Sequence, residues 1–314
     1  MASVTRRGKK WRAEIYLHGI REAKTFSTRA EAKAWAEDRT DALQRPQNSL
    51  HDALIKYSKE VSPTKKGGRW EVLRLEAMAA SMECAKRTIS EVTTPDLVAW
   101  RDKRLKEVAP GTVRREMNLL ASVFEQARRE WHWIKVSPLK DVKRPSNPPA
   151  RRRGVEQDEI DRICLALGYE DHLPVTTKSQ EVAIAFLIGI ETAMRAGEIL
   201  QAPGCRKGRI VTLLDTKNGT ARRVPLSTAA CELLDKVKGG FTVDSASLDS
   251  LFRKAKKAAG ITDLHFHDSR SEALTRLSKK LDVLELATMV GHSNLKSLLF
   301  YYSERTEKLA DKLG

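Results

Sequence analysis

Four short stretches in the C-terminal half place cationic or titratable side chains where packing alone would not ask for them: ETAMRAGEIL, LDTKNGT, HFHDSRSEA and VGHSNLKSLLFYYS. In the first, Arg195 and Glu198 are three apart at the end of an apolar run, so a helical turn sets them on one side. Taken alone, that spacing reads most plainly as an exposed ion pair. Lys217 sits in TKNG, at what reads as a hairpin tip, where a lysine is ordinarily solvated. His267 and Arg270 are again three apart, and a helix beginning near Asp268 lets both face one point. Cationic donors aimed together are costly unless something negative sits between them. A phosphate would serve, and a hydroxyl beside it could attack. The last stretch offers two, Tyr301 and Tyr302. On a helix Leu295, Leu298, Leu299 and Tyr302 fall at i, i+3, i+4 and i+7, an apolar stripe. Tyr301, turned by about 100° from its neighbour, is off that stripe, and if one tyrosine is chemical it is this one.

Such groups need elements to hold them. Residues 8–26 alternate in two short segments, KKWRAEIYL and IREAKTF, joined at His18-Gly19, with Trp11, Ala13, Ile15 and Leu17 on one face. Thr28 and Glu31 then have capping-box spacing ahead of AEAKAWAEDRTDAL. A β-hairpin and helix are expected here, and after a break at RPQNS the chain reads as helical. LHDALIKYSKEV, GRWEVLRLEAMAASM, TPDLVAWRDKRLKEV and PGTVRREMNLLASVFEQARREW carry apolar residues at three- and four-residue spacing, with Pro95 and Pro110 at starts. VKRPSNPPARRRG, Val142 to Gly154, has prolines, arginines and no periodicity, so it reads as a linker. Beyond it come helices around EQDEIDRICLAL and EVAIAFLIGIETAM, a β pair at GRIVTLL and ARRVPL, and helices to the end. The fold class expected is mainly α with small β elements, in several domains: residues 1–46, a helical domain at 49–141, a basic linker at 142–154, and an α+β domain at 155–314.

The chain has 314 residues, with 57 Lys and Arg against 41 Asp and Glu, a formal net charge of +16. That excess makes a polyanionic partner the first reading, with a basic soluble protein that has none as the lesser alternative on charge alone. The basic residues at the two candidate contact segments are Arg6, Arg7, Lys9 and Lys10, and Arg151, Arg152 and Arg153 of the linker. The linker arginines would touch phosphate if they lie beside a nucleic acid; a solvated connector is the alternative. The four cysteines form no CxxC pair and lie far from histidine clusters, which argues against a zinc site or disulfide framework and fits a reducing cytosol. The basic start MASVTRRGKK is followed by no apolar run, and VAIAFLIGI is too short to span a bilayer. A soluble cytoplasmic protein without cofactor or metal is expected. All six tryptophans precede the linker, which suggests two differently built cores rather than a stacking surface.

Together these stretches resemble the tyrosine recombinases, the phage integrases and their relatives. Arg195 with Glu198 is similar to the first arginine box, Lys217 in TKNG to the β-hairpin lysine, and His267 with Arg270 to the HxxR box. Gly291-His292, followed nine positions later by Tyr301, is similar to the LGH box and its nucleophile. The likeness is strong over residues 155–310 and weaker over 50–140, where the family carries a core-binding domain. The N-terminal module resembles, in pattern, the arm-binding domain of lambda-type integrases. There are departures: members often read HDLRH where this chain has HDSRS, so Ser269 replaces an apolar residue and Ser271 a histidine.

The resemblance implies strand breakage and rejoining through a 3'-phosphotyrosyl intermediate on Tyr301, which keeps the phosphodiester energy for religation. Arg195, Arg270 and His292 would hold the pentavalent phosphorane in place of a metal. Lys217 would protonate the leaving 5' oxygen, His267 would position the phosphate or assist proton transfer, and Glu198 would keep the cations in shape. Implied partners are double-stranded DNA with core-type and arm-type sites, a homotetramer on that DNA, and DNA-bending and directionality factors, in the nucleoid of a bacterial host. The C-terminal tail SERTEKLADKLG is amphipathic; docking on a neighbouring protomer and capping its own chain are both open. Integration of phage or mobile-element DNA leads. Inversion or resolution is the alternative within the family. A type IB topoisomerase and a catalytically decayed DNA-binding regulator are the alternatives outside it.

Overall fold

The computed structural model describes residues 2–17, 19–44, 48–146, 151, 153–214, 221–292 and 295–305. The chain divides into two compact units, Met1–Pro149 and Ala150–Gly314, and is mainly helical with two small sheets.

The first unit opens with strands β1 (Ala2–Arg7), β2 (Lys10–Leu17) and β3 (Ile20–Phe26), antiparallel in that order. The expected hairpin is thus one strand short of the sheet. β1 pairs along β2 from Ala2 opposite Ile15 to Arg7 opposite Lys10. Only Val4 of β1 is half-buried, so its period-two signal is almost silent. Helix α1 (Arg29–Gln44) starts at the expected capping box: Glu31 N–H donates to Thr28 Oγ1 at 3.2 Å and Thr28 N–H to Glu31 Oε2 at 3.4 Å. Ala32 and Ala36 seat it on Ala13 and Ile15 of β2.

Four helices follow: α2 (Leu50–Glu60), α3 (Gly68–Ser81), α4 (Thr94–Glu107) and α5 (Pro110–Arg129). Short 3-10 turns join them at Ser62–Thr64, Glu83–Lys86 and Ile89–Glu91. Val113, Met117, Leu120, Phe124 and Ala127 make the buried stripe of α5. Five of the six tryptophans border these two cores rather than filling them, Trp11 and Trp35 flanking the small one and Trp100, Trp131 and Trp133 the helical one, while Trp70 is exposed. The start of the linker belongs to this unit, with Val142 in its core and Arg114 Nη1 donating to Pro145 O at 2.9 Å.

The second unit comprises α6 (Gln157–Ala166), α7 (Lys178–Thr192), α8 (Ala196–Cys205), strands β4 (Arg206–Lys207), β5 (Ile210–Leu213) and β6 (Arg222–Pro225), then α9 (Thr228–Asp235), α10 (Ser245–Ala258), α11 (Asp268–Ser278), α12 (Val283–Val290), α13 (Lys296–Leu299) and a 3-10 turn at Phe300–Arg305. The continuous apolar run makes α7 buried on nearly all sides, and its Phe186 ring meets Phe252 at 4.9 Å and Phe266 at 5.9 Å. The expected β pair gains β4 as an edge, in the order β4-β5-β6. No described helix is long and apolar enough to cross a membrane.

The apolar stripe expected at the C-terminus is only half realised. Leu298 is fully buried and Tyr302 partly so, but Leu295 is 39% and Leu299 54% exposed. α13 lasts one turn and then tightens to 3-10, so a 3.6-residue stripe cannot continue. Both Tyr301 and Tyr302 therefore pack partly against the core of this unit.

Candidate active site

The site starts where α7 stops. Ala193 takes a left-handed conformation (φ 55°), its N–H closing on Gly189 O at 3.0 Å. That turn throws the chain out extended at Arg195, the cap of α8. Glu198, three residues on, reaches back. Its Oε2 accepts the Arg195 backbone N–H at 2.8 Å and its Oε1 accepts Arg195 Nη1 at 2.9 Å. The exposed pair suggested by spacing alone is instead a sheltered one, because the Glu198 side chain is only 9% exposed. Its Oε2 also accepts Arg222 Nη2 at 2.6 Å. Burial pushes the Glu198 carboxyl up, but the Arg195 N–H and the Arg222 and Arg195 guanidiniums outweigh it and hold the group below the usual range.

Arg222 stood in no motif of the sequence. Its signal was its phase: in β6 Arg222 and Val224 are buried while Arg223 and Pro225 are exposed, so an arginine occupies the inward position of an alternating strand.

Helix α11 supplies the next donors. Asp268, buried, accepts the His265 N–H at 2.8 Å and fixes the first turn. His267 lies exposed just before that turn. Arg270 is buried: it donates through Nη1 to Ala193 O, and through Nη2 to Val290 O at 3.1 Å and to His292 Nε2 at 3.0 Å. Burial lowers its pKa to about 10, helped by repulsion from Arg195 and Arg222. The departure at Ser269 has a packing reason. Ser269 lies against α7 at Gly189, where an added Cβ would come within 2.5 Å of its Oγ, and that hydroxyl donates to Phe266 O at 2.7 Å. Ser271, half-buried, is not explained by a contact to the other site residues.

Helix α12 ends at Gly291, left-handed at φ 65°, with the Gly291 and His292 N–H groups both returning to Ala287 O. This turn delivers His292 to Arg270, while its Nδ1 stands 3.2 Å from Ser297 Oγ. Burial, and then the charges of Arg270, Arg195 and Arg222, lower the imidazole to about 4. Tyr301 follows on the 3-10 turn, its carbonyl accepting from Ser278 Oγ at 3.0 Å and its ring edge-on to Phe300 at 5.5 Å. Tyr301 and Arg270 interact electrostatically. Tyr302 is committed elsewhere, donating its hydroxyl to Leu281 O at 2.9 Å.

Arg195, Glu198, Arg270 and His292 thus meet from three separate turns, joined by Arg222 and with Tyr301 near Arg270. Lys217 and Arg152 lie outside the described residues, as does the tail beyond residue 305. Arg6, Arg7, Lys9 and Lys10 are exposed around the β1–β2 turn. Two of the linker arginines, Arg151 and Arg153, are committed within their own unit. Arg151 holds Asp268 through two bonds of 2.9 Å and Asp263 at 2.7 Å, and Arg153 pairs with Glu159. Those acids raise both guanidiniums above their ordinary values. Among the described residues no cluster of His, Cys, Asp or Glu is placed to hold a metal ion.

Residues 153–308 match the model of the phage integrase family. A protein of Haemophilus influenzae provisionally named an integrase/recombinase is 36% identical over 100% of this chain and 91% of its own length. A shufflon-specific DNA recombinase of Escherichia coli is 34% identical over 84% of this chain and 71% of its own. In fold, the chain is similar to a lambda integrase solved as a tetramer bound to a Holliday junction, with TM-score 0.63 and 17% identity over 93% of this chain and 95% of that one.

Proposed function

The chain belongs to the phage integrase family, the DNA strand-transferring tyrosine recombinases, and on that footing we propose that it cuts and rejoins specific duplex sites through Tyr301, chiefly to integrate mobile DNA. The observation that supports the assignment of residues is the contact of Arg270 with His292, with Arg195 and Tyr301 in electrostatic range of Arg270. In the forward step the Tyr301 hydroxyl gives up its proton to solvent and its oxygen bonds to phosphorus as the bond from phosphorus to the 5' oxygen breaks. That oxygen leaves as a hydroxyl with a proton from Lys217, and the 3' end stays on the tyrosine. Religation reverses these bonds.

The negative charge grows on the non-bridging oxygens. Once Arg270 has turned from His292 to the phosphate, donors gathered there need no further reorganisation in the chemical step, which is why they are effective in a site shielded from water. Arg195 and Arg270 present planar forks suited to two oxygens each, and neutral His292 contributes one donor. His267, at the edge of the Arg270 turn, positions the phosphate or assists proton transfer. Glu198 keeps the cations from separating while the site is empty.

The protein's partner in this reading is double-stranded DNA, with residues 49–141 on core-type sites and residues 1–46, through Arg6, Arg7, Lys9 and Lys10, on arm-type sites. In this reading the linker arginines Arg151, Arg152 and Arg153 touch phosphate, Arg151 and Arg153 giving up part of their pairing with Asp268 and Glu159 to do so. The fold shared with a tetrameric integrase on a Holliday junction supports a homotetramer; DNA-bending and directionality factors beside it belong to the reading alone. The shufflon-specific relative supports inversion as a second reading. The place of action is the cytoplasm of a bacterial host, at the nucleoid.

The test is a nicked duplex bearing the crossover sequence that the wild-type chain is found to join. A covalent protein–DNA band that disappears in Tyr301→Phe and persists in Tyr302→Phe is expected. The opposite pattern would sink the assignment, and unselective relaxation of supercoiled plasmid would favour a topoisomerase.

A further inference from the structure

We propose that Arg222 is a positioning residue for strand cleavage: its buried guanidinium ties the turn that carries Arg195 to the turn that carries His292, so that both donors meet one phosphate. The proposal rests on reading this site as the cleavage site.

On one side Arg222 Nη2 donates to Glu198 Oε2 at 2.6 Å, and Glu198 in turn holds Arg195 by its backbone and its side chain. Arg222 therefore grips Arg195 through a single carboxylate. On the other side the arginine packs closely against Gly291. A Cβ there would stand 2.9 Å from Arg222 Nη1 and 3.0 Å from Cδ. Gly291 is then needed twice, for its left-handed backbone and for the room it leaves the arginine. His292 follows directly, so anything that moves the Arg222 shaft moves the imidazole.

Stability alone gives a weak reason for this residue. Buried ion pairs are often no better than packed apolar side chains of the same volume. Arg222 also leaves its Nε buried with no hydrogen-bond partner among the described residues, which is unfavourable. The groups that face it are Glu198, Arg195, Arg270 and His292, one anion among cations and an imidazole. A planar fork with a permanent charge can hold the anion, fill the space over Gly291 and add to the field on an incoming phosphate. A methionine could fill the space only, and a lysine could supply the charge without the fork.

The test compares Arg222→Met and Arg222→Lys in the full chain. Three quantities are read: single-turnover cleavage of the nicked duplex, affinity for the intact duplex, and the titration of His292 by NMR. We expect cleavage slower by on the order of ten- to a hundredfold, as for a misplaced reacting group, with duplex affinity kept. In Arg222→Met, His292 should titrate higher than about 4, toward the ordinary 6.5. If Arg222→Met does not fold, the same split in Arg222→Lys carries the test. Wild-type cleavage in a folded variant, equal losses of binding and cleavage, an unmoved His292 in folded Arg222→Met, or failure of both variants to fold would each overturn the proposal. If the wild-type chain itself forms no Tyr301 adduct, the functional reading fails rather than this one.

Discussion

Arg270 Nη2 stands 3.0 Å from His292 Nε2. An arginine can only donate, so that ring nitrogen accepts and the imidazole proton sits on Nδ1, toward Ser297 Oγ at 3.2 Å. A phosphate that is to take a hydrogen bond from Nε2 must first draw Arg270 away and reverse the tautomer. In the DNA-free chain, nitrogen NMR should therefore show His292 as the Nδ1–H form, and a phosphate-bearing duplex should convert it. An Nε2–H signal without DNA would contradict this.

The same burial gives a pH dependence. Folded His292 titrates at about 4, and unfolded at about 6.5. Below that upper value the unfolded chain takes up a proton which the folded chain refuses, so the stability owed to this ring is complete above it and is lost as pH falls to about 4. With solvent still reaching the ring, the loss should be about 1–2 kcal/mol. Denaturant melts of wild type and His292→Gln across that range check it, because the difference between them should change with pH in this direction.

Exchanging Arg270 for lysine keeps a charge but not the three acceptors the guanidinium serves, Ala193 O, Val290 O and His292 Nε2. Arg195→Lys likewise loses the fork. Each should slow single-turnover cleavage by about a hundred- to a thousandfold, roughly 3–4 kcal/mol. Arg270→Lys should also destabilise the second unit, since buried carbonyls lose a donor. A lysine variant that cleaves at the wild-type rate would remove that arginine from the site.

The helices were legible because their apolar residues recur at helical spacing and two of their starts carry Pro95 and Pro110. The candidate site residues stood out because types that do not pack well occurred at spacings similar to the family's boxes. What escaped depended on tertiary contacts or on period. Arg222 differs from neighbouring Arg223 only in facing inward. Arg151 read as either a phosphate contact or part of a solvated connector, and its ion pairs went unseen, because nothing in RRRG announces Asp263 and Asp268 more than a hundred positions away. The terminal stripe assumed a helix where the backbone tightens to 3-10, so periodicity gave Tyr301 its freedom for a reason the fold does not supply. The commitment of the Tyr302 hydroxyl to Leu281 is the better reason to separate the two.

Tyr302→Phe removes that one bond, 2.9 Å long, from a partly buried position. The expected cost is about 1 kcal/mol of stability, measurable as a lower denaturant midpoint with unchanged slope. The covalent adduct with nicked DNA should still form. A normal midpoint would mean that the hydroxyl bond contributes nothing.

Ser269 is where this chain departs from the HDLRH pattern, and its surroundings predict that restoring the pattern is harmful. A Cβ built on Gly189 would lie 2.5 Å from Ser269 Oγ and 3.1 Å from its Cβ, so the first turn of α11 already rests on the backbone of α7. A leucine at 269 has no space on that side and must push the turn outward, costing about 1–3 kcal/mol as overpacking does. Because Arg270 is the next residue, the shift would be felt in its bonds to Ala193 and Val290. Ser269→Ala, by contrast, loses only the hydroxyl bond to Phe266 O and should cost about 1 kcal/mol with cleavage retained. Thermal melts and single-turnover cleavage of the two variants separate these effects. A Ser269→Leu chain as stable and as active as wild type would show that α11 can move away from α7 without disturbing Arg270.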